Sequence, residues 1–138
     1  MKQKLFLVLL GLLFLNLGPL CRIASAQTSS VTISSLTNGQ TVSGHNVDVY
    51  ANYTIAPGYQ TNDGGEMYWT SSSGVVWNWE THTPVSEGSG ICGAMCDSTY
   101  IPNGVYTIVI VMPCGNTPAT AGHWTYIQSP PITVNVQN

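Results

Sequence analysis

Beyond Arg22 the chain has no lysine and no arginine. Its three basic residues are Lys2, Lys4 and Arg22, whereas all six acidic ones (Asp48, Asp63, Glu66, Glu80, Glu87 and Asp97) come later, so residues 27–138 carry a formal charge of −6. Such a surface suits neither nucleic acid nor an anionic membrane, since both are gripped chiefly through Lys and Arg. It also excludes side-chain salt bridges to those residues and leaves trypsin-like proteases nothing to cut. Phenylalanine runs out as well. Phe6 and Phe14 are the only two, and the later aromatics are four Trp and seven Tyr, each with an apolar body and a polar tip that serves a half-exposed sheet face as well as a core. No apolar stretch of helical period and useful length follows residue 26, which argues against a helical architecture.

The basic residues stand where an export signal needs them. Lys2 and Lys4 precede an apolar run over residues 5–15, and Ala24-Ser25-Ala26 is a small-x-small cleavage site, so residues 1–26 read as a signal peptide cleaved after Ala26. Asn16, Gly18 and Pro19 cut the run to about half of the ~20 residues a bilayer span requires. A lipid anchor on Cys21 would call for a small residue before it, and Leu20 is bulky. The expected product is secreted or held at the cell surface, extracellular or periplasmic, with no membrane association once the signal is removed. Residues 27–138 suit a single domain.

In that domain the dominant signal is alternation of period two. Over residues 45–55, Val47, Val49, Ala51, Tyr53 and Ile55 fall on one face and Asp48, Tyr50, Asn52 and Thr54 on the other. Residues 65–70 alternate Met67 and Trp69 against Glu66, Tyr68 and Thr70, and residues 75–81 alternate Val75, Trp77 and Trp79 against Val76, Asn78 and Glu80. Residues 105–112 are apolar on both faces, as in a central strand covered on two sides. A final strand over residues 123–136 is interrupted by Pro130-Pro131, which donate no hydrogen bonds, so it reads as an edge or sheet-switching strand. Turns at Asn38-Gly39 and Asn103-Gly104 complete an all-β, two-sheet sandwich.

Four segments resemble a known family. Residues 31–44, in which Asn38-Gly39 leads into Val42-Ser43-Gly44, are similar to the opening of a bacterial immunoglobulin-like (Ig-like) domain. Asn103-Gly104-Val105-Tyr106-Thr107 resembles the lead-in to that family's penultimate strand, Trp77-Asn78-Trp79 its tryptophan-bearing segment, and Ile132-Thr133-Val134-Asn135-Val136 its closing strand. The resemblance implies an Ig-like antiparallel β-sandwich used for adhesion, spacing or ligand binding, and it transfers no catalytic residue. Against that pattern, residues 84–97 look like an insertion carrying Cys92 and Cys96, and Cys114-Gly115-Asn116 replaces an acidic turn.

Cys92, Cys96 and Cys114 remain after cleavage, an odd number for an oxidising compartment. A bridge from Cys114 to Cys92 or Cys96 would close a loop of about 20 residues, worth roughly 3 kcal/mol in the chain-entropy model, and the leftover thiol could join two subunits. A Cys92–Cys96 bridge closes too short a loop to stabilise much. The spacing matches neither zinc knuckles nor a compact copper site. No cofactor is expected, with calcium as the open alternative through Asp63 and Glu66 in Asn62-Asp63-Gly64-Gly65-Glu66. Tyr50, Tyr59, Tyr68, Trp77 and Trp79 are candidate platforms for a sugar, and Trp69 is the expected buried tryptophan between the sheets. No Ser-His-Asp order with a nucleophile turn is present, and Glu66 and Glu80 are at most neighbours across strands.

These readings combine into a non-enzymatic, extracellular Ig-like module for structure or adhesion. Its expected partners are other copies of itself or other surface proteins. A small carbohydrate-binding module, with polysaccharide as partner, is the alternative.

Overall fold

Strand β3 (Val47–Thr54) shows how the alternation is realised, with Val47, Val49, Ala51 and Tyr53 buried and Asp48, Tyr50 and Asn52 exposed. The computed structural model describes residues 28–61, 65–82, 88–116 and 124–138. Across them run β1 (Ser30–Ile33), β2 (Gln40–Val42), β3, β4 (Tyr59–Thr61), β5 (Gly65–Ser71), β6 (Val76–Thr81), β7 (Ser89–Cys96), β8 (Gly104–Asn116), β9 (Trp124–Gln128) and β10 (Ile132–Val136). A 3-10 turn, Ser98–Tyr100, is capped by the Asp97 side chain, which accepts from Thr99 N.

The strands form two layers. The smaller sheet has the order β1-β3-β7, and the larger β2-β10-β8-β5-β6, with β4 and β9 also paired to β8. The thirteen-residue β8 is the spine: β4 and β5 lie end to end along one of its edges, β9 and β10 along the other. The core fills the space between the layers, with Val31, Val49, Ala51 and Cys92 from the small sheet meeting Met67, Trp69, Ile108, Ile110, Met112 and Val134 from the large one. Trp69 is fully buried, and Trp79 packs on it edge-to-face with centroids 5.6 Å apart.

Three expectations are revised here. β8 is central, but Val105, Thr107, Val109 and Val111 stay partly open to solvent, Val105 being 56% exposed, because over this stretch the sandwich covers only one face of the sheet. The strand carrying Pro130-Pro131 does not switch sheets. Both of its halves stay on β8, and the register shifts by one between Val111↔Gln128 and Ile132↔Ile108, so the two prolines bulge opposite Val109. Ser129 satisfies both backbone groups of Ile110 beside the bulge: its N–H donates to Ile110 O at 2.9 Å, and its Oγ accepts from Ile110 N at 3.0 Å. The switch is made instead near the start, where the chain leaves β1 in the small sheet and enters β2 in the large one. Asn38 and Gly39 tie that crossing to β10, Asn38 Oδ1 accepting from Thr133 N and Gly39 N donating to Thr133 O.

The third revision concerns residues 84–97. Their larger part is no insertion but β7, paired with β3 from Val47↔Cys96 to Thr54↔Ser89. Its inward positions, Gly90, Cys92, Ala94 and Cys96, are small, and at Gly90 β3 fills the space: a Cβ there would collide with the Tyr53 ring. Residues 83–87, like the expected signal peptide and the expected cleavage site at Ala26, lie outside the described residues.

Candidate functional site

The outward residues of the large sheet form the most chemically varied surface of the described molecule. Register places Glu66 on β5 directly opposite Glu80 on β6, and Glu66 also opposite Val111 on β8, which pairs in turn with Gln128 on β9. A row Glu80, Glu66, Val111, Gln128 therefore crosses four strands, roughly 14 Å from end to end at ordinary strand spacing. Two like charges face each other in that row, an arrangement that costs stability. Tyr68, two residues along β5, and Tyr126, on the far side of the row on β9, flank it, and Glu66, Tyr68, Val111 and Tyr126 line a cavity of about 350 Å³. Tyr126 is 70% exposed. Trp124 continues the aromatic stripe along β9, its ring lying on Gly115, where a Cβ would stand 2.6 Å from the indole.

This surface unites only part of the expected set. Tyr68 and Glu66 meet on it, but Asp63 lies outside the described residues, and among those residues no group of three or more metal-ligating His, Cys, Asp or Glu forms. Tyr50 projects from the opposite side of the molecule, on the outer face of the small sheet over Gly93. Tyr59 stands at the end of β4, across from Asn116. Trp77 and Trp79 are not flat platforms: both are half-buried and face inward, Trp77 edge-on to Tyr106 at 5.5 Å and Trp79 against Trp69. Tyr126, Trp124, Gln128 and Val111 were not picked out in the sequence. Their signal is the alternation Trp124, Tyr126, Gln128, interpretable only once the partner strand is known.

Among the described residues no disulfide joins the three cysteines, all of which are buried, so the expected bridge is not made. Cys92 Sγ lies 3.3 Å from Met112 Sδ across the core, and Cys114 Sγ lies 3.5 Å from Ser29 Oγ. Cys96 sits at the other end of β7, four residues or roughly 13 Å from Cys92 along an extended strand and far beyond disulfide reach. Burial, with a smaller contribution from the Asp48 carboxylate, pushes the Cys96 thiol up to about 12. At the same end of the sandwich, Asp97 accepts from Thr99 and pairs with His45 Nδ1 at 2.8 Å. The hydrogen bond from Thr99 first, then that from His45, holds its carboxyl below the usual range.

No protein-family model and no curated protein sequence matches the chain. Among solved structures it is similar to the endo-β-1,4-mannanase from Thermotoga petrophila, with 16% identity and a TM-score of 0.57 over 83% of this chain and 21% of that one. The chain thus spans about a fifth of that enzyme's length, and at this identity the likeness concerns the fold alone.

Proposed function

We propose that the chain is an exported, non-enzymatic Ig-like module for extracellular structure or adhesion, and that the outer face of its larger sheet is the adhesive surface, holding carbohydrate. The Ig-like part is supported by strand order. β1, β3 and β7 stand where Ig sandwiches have strands A, B and E, and β2, β10, β8, β5 and β6 where they have A′, G, F, C and C′. It is supported again by Tyr106, at the start of the F position, whose hydroxyl donates to Pro102 O four residues upstream at 2.8 Å, the tyrosine corner of such domains. Trp69 occupies the place of their buried tryptophan on strand C. Ile108, two residues after Tyr106, stands where antibody domains carry the second bridging cysteine.

The observation that carries the adhesive reading is the cavity flanked by Tyr68 and Tyr126 with Glu66 beside them. Aromatic faces offer apolar area to the C–H side of a pyranose, and carboxylates accept from its hydroxyls. Because Trp124 shares the face, tryptophan emission should respond to a bound polysaccharide, and Tyr126→Ala should weaken that response. Silence across a broad glycan panel, mannan included, would remove the reading.

Self-assembly remains a second reading, favoured by β7. That edge strand exposes Ile91 and Met95, each more than 60% accessible, on either side of Tyr50, and on its outer edge His82 N donates to Gly93 O at 3.0 Å. Edge strands of this kind invite pairing with another chain.

A further inference from the structure

Resting on the carbohydrate reading above, we infer that the Glu66/Tyr68/Tyr126 face is selective for neutral polysaccharides and rejects acidic ones. Glu66 and Glu80 occupy directly opposed positions on adjacent antiparallel strands, so their Cβ atoms are about 5 Å apart and both carboxylates stand on the outer face. Beyond Arg22 the chain has no Lys or Arg, and among the described residues neither carboxylate has an ion-pair partner. Retaining two opposed like charges on an open sheet works against the fold, and here the pair adjoins a lined cavity rather than plain solvent.

An ionised carboxylate accepts hydrogen bonds and donates none. Two of them side by side therefore match a group rich in donors, which neighbouring hydroxyls on a sugar ring supply. Gln128, at the other end of the same row, adds an amide that both donates and accepts. Tyr68 and Tyr126 stand on opposite sides of the row, four β8 positions or roughly 13 Å apart along the strand, the reach of two to three sugar rings. A uronate or sulfated unit would set its anion against Glu66 and Glu80, with residues 27–138 already at −6. Like charges at this separation should weaken binding by about tenfold or more.

Affinity electrophoresis of residues 27–138 through gels containing neutral polymers (β-1,4-mannan, xylan, β-glucan) or polygalacturonate tests this. A neutral polymer should retard the protein, and polygalacturonate should not. The double variant Glu66→Gln/Glu80→Gln should bind the neutral polymer about tenfold more weakly and lose its discrimination. Because it removes a like-charge pair, its urea midpoint should equal or exceed the wild type's, which separates lost binding from lost folding. Polygalacturonate bound as tightly as the neutral polymers would overturn the selectivity and leave the carbohydrate reading standing. Retardation by no polymer would overturn the carbohydrate reading itself. Binding to a neutral polymer that EDTA abolishes would also overturn the inference, because the carboxylates would then act through a cation.

Discussion

Tyr106 commits its hydroxyl to the carbonyl of Pro102 while its ring packs on Trp69 and Trp77, so a single side chain ties the turn before β8 to the core. Tyr106→Phe keeps the ring and removes the hydrogen bond, and should cost about 1 kcal/mol in urea unfolding. The cysteines make a second prediction. In the fold, burial disfavours the Cys96 thiolate, so the folded state holds that proton more tightly than the unfolded state does. Its effect on stability is therefore flat below the ordinary thiol value of 9.0 and turns unfavourable as pH rises from there toward about 12. Unfolding midpoints should decline over that alkaline window, less steeply in Cys96→Ala, and a thiol reagent at pH 8 should titrate three thiols in residues 27–138 only after denaturation. The residue count suggested a bridge; whether two thiols can meet depends on strands far apart in sequence.

Elements were legible wherever large and polar residues alternated. β3 and β5 match their expected faces because Val47, Val49, Met67 and Trp69 are bulky and their neighbours are not. β7 was hidden for the opposite reason. Gly90, Cys92, Gly93 and Ala94 give no contrast in size or polarity, and at Gly90 the space a side chain would take is filled by Tyr53 from β3. The prolines of residues 130 and 131 marked a break correctly, yet what the break becomes depends on Ser129, whose Oγ accepts the buried Ile110 N–H. Ser129→Ala leaves that donor without a partner and should destabilise by about 1–3 kcal/mol, measurable by chemical denaturation. Fast amide exchange at Ile110 in the variant would locate the effect at the bulge.

At the scale of the whole molecule, two layers of strands leave two outer faces with different chemistry. One carries Glu66, Tyr68 and Tyr126, the other Tyr50 on β3 beside Ile91 and Met95 on the edge strand β7. If copies of residues 27–138 pair through β7, each brings −6, so salt should favour assembly by screening that repulsion. Sedimentation velocity of residues 27–138 at low and high ionic strength should show the oligomer fraction rising with salt; a monomer at every salt and protein concentration would dismiss self-assembly. The expected Glu66–Glu80 neighbourhood and the burial of Trp69 both emerge in the structure, whereas the expected sugar platforms scatter, Trp77 and Trp79 into the core side and Tyr50 to the far sheet. Composition and period two by themselves determined the charge, the all-β class and which side of most strands is buried, because each is a property of one residue or its near neighbours. Which strands become partners, and therefore that Tyr126 comes to stand by Glu66 and that all three cysteines are buried, was decided only by the tertiary structure, because register joins positions tens of residues apart through backbone hydrogen bonds that carry no mark in the side chains.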